Sequence, residues 1–242
     1  YVARFLSEKI IANGNTVLAT TRDPNKISAQ IEKLTLIHPD KINLKLNEHK
    51  DQITHLIISV PPDEKGDIFL KQHKDSLLSM PNLKWIGYLS ATNVYGDHNG
   101  EYVDEFSSLK ATTSKGINRI KAEGQWTEYC KAKNLPLHIF RIAGIYGPER
   151  NIYERIKLSK FNHIIKRDHY FSRIYISDLV NILFASMNKP NPINIYNIAD
   201  DMPSSMSDVV DFICQRTSCV IPEQIPFEGL DKKQQQDSFY SE

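Results

Sequence analysis

The sequence has little glycine and cysteine, no long apolar run and no excess of charge of either sign. Its 242 residues carry 30 Lys and Arg against 29 Asp and Glu, so the formal net charge is +1. This balance provides neither the basic surface that nucleic acids require nor a polybasic patch for a membrane. No apolar run approaches the roughly 18 residues of a membrane-spanning helix. We therefore expect a protein without nucleic-acid or membrane partners.

The three cysteines, Cys130, Cys214 and Cys219, are too few and too odd in number for a disulfide framework. They favour a reducing, cytoplasmic location, and we interpret Cys214 and Cys219 as buried free thiols. The histidines are scattered without metal-ligand spacing, so no metal site is predicted. The sequence also lacks a Gly-x-x-x-x-Gly-Lys-Ser/Thr loop and a Gly-x-Ser-x-Gly elbow, which argues against NTPases and α/β-hydrolases.

Glycine is scarce near the start of the sequence. There are 10 glycines in all, where average usage gives roughly 17, and only Gly14 lies before Gly66. The first residue is Tyr1 and the first predicted element is a helix, yet the first strand of a doubly wound sheet is central. We therefore expect a strand and a glycine-rich, phosphate-binding turn to precede Tyr1. The alternative is a fold that truly starts with a helix.

Short apolar strands alternate with amphipathic helices along most of the chain. This alternation predicts an α/β fold with a doubly wound parallel sheet (Rossmann-like) and a small C-terminal substrate lobe. Residues 1–150 would form the dinucleotide-binding domain. Residues 151–242 would form a mixed lobe with at least one strand and one helix returning to the core. The predicted strands are 16–20, 42–46, 55–60, 83–89, 137–142, 173–176 and 193–198. The predicted helices are 1–11, 24–34, 67–78, 118–133, 178–187 and 206–217.

Four segments carry recognisable motifs. They are YLSATNVYGD at 88–97, FRIAGIYGPER at 140–150, SRIYISDLV at 172–180 and INIYNIADDMPSS at 193–205. In this order they resemble segments of the extended and atypical short-chain dehydrogenases/reductases, the NAD-dependent epimerase/dehydratase-like superfamily. The resemblance covers most of the chain between residues 83 and 210. It implies a dinucleotide cofactor, a small-molecule substrate and a possible homodimer, and it too implies a glycine-rich loop before the first residue.

The end of the second strand of a dinucleotide fold meets the adenosine ribose, and here it holds Thr20, Thr21 and Arg22. An acidic residue at this place selects NAD, whereas an arginine accommodates the 2′-phosphate of NADP. We therefore prefer NADP over NAD. Asp23 would reverse this preference if it points inward. Alternatively, Arg22 pairs with Asp23 or Glu32 on the surface.

The resemblance implies further contacts with the cofactor. The turn after the next long apolar strand would pass under the ribose and nicotinamide, where its backbone offers contacts. A rigid strand exit made by two prolines is compatible with that role. The residues implied in cofactor binding outside the second strand are Ser59, Val60, Pro61, Ser90, Arg119, Ala143 and Ile145.

Superfamily members use a Ser or Thr together with a Tyr-x-x-x-Lys pair, which lies on one helix face. They often carry a Glu four residues after the Lys. When Glu123 is aligned with that acid, Arg119 takes the Lys position and Lys115 takes the Tyr position. The hydroxyl position holds Ala91, with Ser90 and Thr92 on either side. All three catalytic positions therefore differ from the superfamily pattern.

The replacements have different chemical consequences. Arg119 can hold a ribose hydroxyl or a phosphate, but it cannot shuttle protons. Lys115 could act as an acid or base if desolvated, since burial and a like charge both favour a neutral lysine. Its alternative is a solvated side chain at the start of a helix. Thr92 could orient a carbonyl group, and Tyr95 completes the predicted catalytic set of Thr92, Lys115 and Tyr95.

On the substrate side, the resemblance implies Tyr146 and Arg173. Arg173 could clamp an anion, although a structural pair with Asp178 is the alternative. The segments around Val94-Tyr95-Gly96-Asp97 and Arg173 favour an oxidoreductase or epimerase-like enzyme that transfers hydride on a small polar carbonyl, alcohol or sugar-nucleotide-like substrate. The altered Tyr and Lys positions favour a different class, a non-catalytic NADP(H)-binding sensor or scaffold.

Overall fold

A computed structural model describes residues 1–24 and 32–237 of the chain. Its strands are β1 Val17–Thr20, β2 Leu34–Ile37, β3 His55–Ile58, β4 Trp85–Ala91, β5 Leu137–Ile142, β6 Gly144–Tyr146, β7 His163–Ile165, β8 Arg173–Tyr175, β9 Asn194–Ile198 and β10 Gln224–Pro226. Its α-helices are α1 Val2–Ala12, α2 Ile42–His49, α3 Ile68–Leu78, α4 Ser114–Lys133, α5 Ile152–Lys157, α6 Ile176–Met187, α7 Met206–Thr217 and α8 Lys232–Asp237.

The described residues form two compact units. Unit 1 contains those of Tyr1–Ser90, Lys121–Phe140 and Ile176–Tyr196. Unit 2 contains Ala91–Ile120, Arg141–Tyr175 and the chain from Asn197 onward. The two units interleave along the sequence, so they do not coincide with the predicted division at residue 150. In the described part of the chain, the longest apolar helical stretch falls short of what a membrane crossing needs.

The strands form small sheets with parallel pairing. Strand β1 pairs with β2 in parallel, with Val17 opposite Leu34. A second sheet has the order β3-β4-β5-β9, and its β3 and β4 are parallel. Both strands of the β6-β8 pair and of the β7-β10 pair also run in parallel. The predicted α/β class with a Rossmann-like parallel arrangement is therefore confirmed.

The core of unit 1 is built on β4 and β5. Every residue of β5 is buried, as are five of the seven residues of β4, among them Trp85 and Tyr88. Trp126 of α4 packs against this core with no exposed surface, together with Leu77 of α3. Strands that are buried on both faces are typical of parallel sheets covered by helices, which explains their continuous apolar runs.

One predicted element near the start of the chain is wrong, and the predicted end of another is misplaced. The segment 42–46, predicted as a strand, lies in α2, and the strand is instead β2 at Leu34–Ile37. The predicted helix over 24–34 includes Leu34, but this residue and the branched side chains after it pair with β1. The chain then turns at Pro39, whose fixed φ starts a helical turn that leads into α2. Residues 25–31 of the predicted helix lie outside the described residues.

Unit 2 is held by short strand pairs and by α7. The Ser205 side chain accepts a hydrogen bond from the Asp208 backbone N–H, and the Asp208 carboxylate accepts one from Ser205, forming a capping box. The Phe171 and Ser204 backbones exchange hydrogen bonds of 3.0 and 3.2 Å. These contacts fix the start of α7 beside the chain that leads into β8.

A buried polar group on β5 is satisfied by neighbours within unit 1. His138, which has no exposed surface, accepts a hydrogen bond at Nε2 from the backbone N–H of Asn191 at 3.3 Å. Its Nδ1 lies 2.5 Å from Ser186 Oγ, and Trp85 Nε1 lies 3.1 Å from both this oxygen and His138 Nδ1. We assign the ring proton to Nδ1, because a neutral imidazole has one donor and one acceptor. Burial lowers the pKa of His138, which keeps this ring neutral.

We expect Ser186→Ala to lower the free energy of unfolding by about 1–3 kcal/mol, because the buried donors on His138 and Trp85 lose their shared acceptor. Ser177, which is exposed on the same helix α6, provides the matched control. Ser177→Ala should change the free energy by no more than about 0.5 kcal/mol. Urea unfolding at neutral pH measures both variants, and equal small effects would contradict the assigned hydrogen bonds.

Candidate functional site

The predicted adenosine-binding residues follow β1 in unit 1. Thr20 is the last residue of the strand and is exposed, as is Arg22 two residues later. Between them, the Thr21 backbone N–H donates to the Ile37 carbonyl at 2.9 Å, and its hydroxyl accepts a hydrogen bond from the Asp23 backbone at 3.3 Å. The turn is therefore held by its own backbone, which leaves the side chains of Thr20 and Arg22 accessible to a ligand.

The second predicted cofactor segment follows β3, also in unit 1. Ser59, Val60 and Pro61 are all exposed, with 48% of the Val60 surface accessible. Ligands of open α/β sheets bind outside the carboxyl ends of the strands. The structure thus leaves two such strand ends open, those of β1 and β3, and both carry residues predicted to contact a cofactor.

Ser90 has a different environment from these exposed residues. Its hydroxyl donates a 2.5 Å hydrogen bond to Glu123 Oε1, and both residues are buried within unit 1. This contact fastens the end of β4 to α4. Ser90 therefore has a positioning role, and it offers a cofactor little besides its backbone.

The predicted catalytic residues of unit 2 lie on two adjoining segments. Thr92 begins a short 3-10 helix and is half-buried, with its carbonyl bound to the Tyr95 backbone N–H at 3.0 Å. Lys115 and Arg119 lie one helical turn apart on α4, where residues four apart share a face. Arg119 is half-buried, whereas Lys115 is exposed. The desolvation that proton transfer by Lys115 requires is therefore not supplied by the protein alone.

A glycine brings α4 close to the 3-10 helix. A Cβ on Gly116 would lie 2.7 Å from the Asn93 carbonyl oxygen and 2.5 Å from the Ala111 side chain. Only a residue without a side chain allows this approach, which sets the start of α4 beside the segment that carries Thr92. Gly116 thereby positions Lys115, its neighbour in sequence, relative to Thr92.

Tyr95 lies in a buried polar network of unit 2. Its hydroxyl donates to Asn197 Oδ1 at 2.6 Å and accepts from Arg141 Nη1 at 2.9 Å. Arg141 also donates to the Glu105 carbonyl at 3.2 Å, and the Glu105 carboxylate accepts a 2.7 Å hydrogen bond from the Asn197 backbone. Because Tyr95 is only 2% exposed and its hydroxyl has two partners, the geometry favours a structural role over proton transfer.

The predicted substrate residues differ in accessibility. The rings of Tyr146 and Tyr175 lie 5.3 Å apart and are both more than a third exposed. Arg173 Nη1 instead donates to the backbone carbonyls of Phe171 and Ser204, at 3.0 and 3.1 Å. These contacts link the segments before β8 and α7, so part of the guanidinium is already used within unit 2.

The remaining predicted cofactor residues adjoin β6. Ala143 is buried, and its backbone N–H donates to the Ile198 carbonyl at 2.9 Å. Ile145 lies within β6 and is half-buried. Unit 2 also contains a cavity of about 170 Å³ beside the start of α7, lined by Ile165, Lys166, Arg167, Asp168, Ser205, Met206 and Ser207. None of the predicted site residues lines this cavity.

The fold of this chain is shared by several solved structures. A functionally unknown conserved protein from Silicibacter pomeroyi is 35% identical in sequence, with a TM-score of 0.86 over 100% of this chain and 84% of the other. UDP-glucuronic acid 4-epimerase from Bacillus cereus, solved in complex with NAD, has a TM-score of 0.77 at 16% identity, over 93% and 83% of the chains. A dTDP-glucose 4,6-dehydratase from Bacillus anthracis has a TM-score of 0.75 at 13% identity, over 93% and 81%.

The chain is thus related in sequence to a conserved protein of unknown function, and it has the fold of NAD-dependent epimerases and dehydratases of the short-chain dehydrogenase/reductase superfamily. This confirms the resemblance drawn from the four motifs. No protein-family model matches the sequence, and no curated protein matches it significantly.

Three residues of the Tyr95 hydrogen-bond network were not predicted from the sequence: Glu105, Arg141 and Asn197. A signal was present for Arg141, because a charged residue within the apolar run LHIFRI requires a buried partner. No comparable signal identifies Asn197 or Glu105, since both lie in polar segments where such residues are ordinary.

We expect Gly116→Ala to lower the free energy of unfolding by about 1–3 kcal/mol, because the added methyl group meets a backbone carbonyl that cannot move aside cheaply. Gly124 lies on the same helix, and a methyl group added there would have no neighbouring atom within 4 Å. Gly124→Ala should therefore raise stability by about 0.5–1 kcal/mol, as alanine favours helices. Urea unfolding compares the two, and stabilisation by both variants would show that the close approach at Gly116 is absent.

Proposed function

We propose that this protein binds NADP(H) or NAD(H) and transfers hydride on a small polar carbonyl, alcohol or sugar-nucleotide-like substrate. The observation that supports this proposal most is that the carboxyl ends of β1 and β3 are both open in a chain with this fold. Both ends carry exposed polar or backbone groups at the places where such folds bind a dinucleotide. Similar structures include an epimerase and a dehydratase solved with NAD.

The cofactor itself would supply the hydride, and the protein would bind and orient it. Thr20 and Arg22 would hold the adenosine side, while the backbone of Ser59 and Val60 would pass beneath the ribose. Arg22 favours the 2′-phosphate of NADP, because its guanidinium is accessible and follows the strand directly. The exposed carboxylate of Asp23 is the group that would favour NAD instead.

At the reacting end, Arg119 would hold the nicotinamide ribose and Lys115 would exchange a proton with the substrate oxygen. A protonated Lys115 can donate to the oxygen of a carbonyl that accepts hydride, and Thr92 can orient that carbonyl by a hydrogen bond. Bound ligands would also have to displace water from Lys115 for it to act as a base. Tyr146 would lie on the substrate side, where its ring is accessible.

A second function is favoured by the environment of the same residues. Lys115 is exposed and the Tyr95 hydroxyl is fully engaged, so neither of these two predicted catalytic groups is arranged for proton transfer by the fold itself. A dinucleotide-binding sensor or scaffold without turnover would need only the strand ends and Arg119. Binding and turnover measurements separate these two functions.

Arg22→Ala should weaken NADPH binding by about tenfold, the loss expected for one charge-assisted phosphate contact, and leave NADH binding nearly unchanged. Titration of the nicotinamide fluorescence of each cofactor measures the two dissociation constants. Lys41→Ala, at another exposed basic residue of unit 1, should change neither. Equal weakening of both cofactors would contradict a role for Arg22 in selecting the phosphate, and absence of binding would overturn the proposed function.

Lys115→Ala should lower kcat by about a hundredfold, the lower range for loss of a general acid, while cofactor affinity is retained. The assay follows nicotinamide absorbance with a panel of carbonyl compounds and sugar nucleotides. Lys131→Ala, near the other end of α4, should retain full activity. Unchanged turnover in Lys115→Ala removes Lys115 from the mechanism, and cofactor binding without turnover on any substrate supports the sensor.

A further inference from the structure

Two cysteines of unit 2 meet at the end of α7. Cys214 lies in the last turn of the helix and is buried, whereas Cys219 follows the helix and is partly exposed. The chain reverses at Ser218, which adopts the left-handed conformation with φ of +55°. This turn places the two sulfur atoms 2.9 Å apart.

The two thiols have unlike environments. The hydrogen bond with Cys214 lowers the pKa of Cys219, and the Thr217 hydroxyl oxygen lies 3.3 Å from the Cys219 sulfur. Burial raises the pKa of Cys214 to about 11, and the hydrogen bond with Cys219 acts in the same direction. When the pair loses one proton, the remaining proton therefore stays on the buried sulfur of Cys214, and the thiolate forms on the accessible sulfur of Cys219. Thiolates, and not thiols, react with oxidants.

We propose that Cys214 and Cys219 are a site of reversible oxidation, at which a hydroperoxide converts the dithiol into an intrachain disulfide. With hydrogen peroxide, Cys219 would attack the peroxide, forming a sulfur–oxygen bond as the oxygen–oxygen bond breaks and one water leaves. Cys214 would then attack the resulting sulfenic acid, forming the sulfur–sulfur bond and releasing a second water. Two thiols are thus oxidised by two electrons and one peroxide is reduced to two waters.

The geometry suits the second step. The sulfur atoms of a disulfide lie about 2.05 Å apart, so the two sulfurs, now 2.9 Å apart, need to approach by roughly 0.9 Å. Four residues separate the two cysteines, and Cys219 lies outside the regular helix, where its backbone can adjust. The bond would tie the end of α7 to the segment that leads into β10.

The chain contains its own control in Cys130. That residue has no exposed surface, and burial raises its pKa to about 12. It lies on α4 in the core of unit 1, where an inert thiol is expected. An oxidant that distinguishes thiols by access and ionisation should therefore spare Cys130 and react at Cys219.

The experiment treats the folded protein with a small excess of hydrogen peroxide, denatures it and labels the remaining thiols with N-ethylmaleimide. The untreated protein should take up three labels, one for each cysteine. After oxidation it should take up one label, at Cys130, and the unlabelled mass should fall by about 2 Da through loss of two hydrogens. Dithiothreitol should restore all three labels.

Single variants assign the two roles. Cys214→Ser should gain oxygen at Cys219, because no second thiol resolves the sulfenic acid, whereas Cys219→Ser should react far more slowly than the wild type. Cys130→Ser should behave as the wild type does. The proposal is overturned if peroxide leaves all three thiols free, adds oxygen to the wild type without a disulfide, or joins two chains. Equal oxidation of Cys130 would also overturn it.

Discussion

A polar side chain on a strand buried from both faces must find its partner inside the protein, and this constraint shapes the centre of each unit. Strands β4 and β5 are almost wholly inaccessible, yet they carry Ser90, His138 and Arg141. Each of these would cost several kcal/mol if left without hydrogen bonds. Ser90 is satisfied by Glu123 and His138 by Ser186, both distant in sequence. Because Glu123 lies on α4 and Ser186 on α6, these hydrogen bonds hold the two helices against the buried strands.

The same constraint decides which predicted groups remain available for chemistry. Arg141 donates a hydrogen bond to the Tyr95 hydroxyl, so this hydroxyl is already engaged within unit 2. By contrast, Thr92 is only half-buried and Lys115 is exposed. Their segments adjoin because Gly116 has no side chain, and a Cβ at this position would clash with the neighbouring segment. The structure therefore separates a rigid support from a small set of accessible groups on unit 2.

Much of the fold could be predicted because strong periodic signals repeat along the chain. The apolar runs that form β3, β4 and β5 are short, continuous and flanked by turn residues, so they indicate strands clearly. The prediction for segment 34–46 is wrong because two short apolar runs are compatible with either state, and pairing of Leu34–Ile37 with β1 decides between them. Tertiary contacts of that kind are invisible to local patterns.

For the candidate site, the sequence predicts positions and not environments. Motif spacing singles out Lys115, Arg119 and Thr92 as candidates, but spacing cannot say whether a side chain is solvated. The apolar run around Arg141 indicates that this residue needs a buried partner, but it does not identify the Tyr95 hydroxyl, which lies 46 residues away and also binds Asn197, 102 residues away. Long-range hydrogen bonds depend on the assembled fold, and so lie beyond spacing arguments.

The exposure of Lys115 narrows the chemistry that α4 can support. Two cationic side chains one turn apart repel each other, so the helix face that carries Lys115 and Arg119 gains from any bound anion. A tyrosine at position 115 would provide a neutral proton donor, whereas a lysine at this position provides a positive charge. In the proposed function, these two residues would first attract the anionic groups of a ligand, and proton transfer would require the bound molecules to displace water. In this proposal Lys115 and Arg119 would first bind the ligand and then take part in the reaction. Only the reaction would depend on the exclusion of water by the bound ligand.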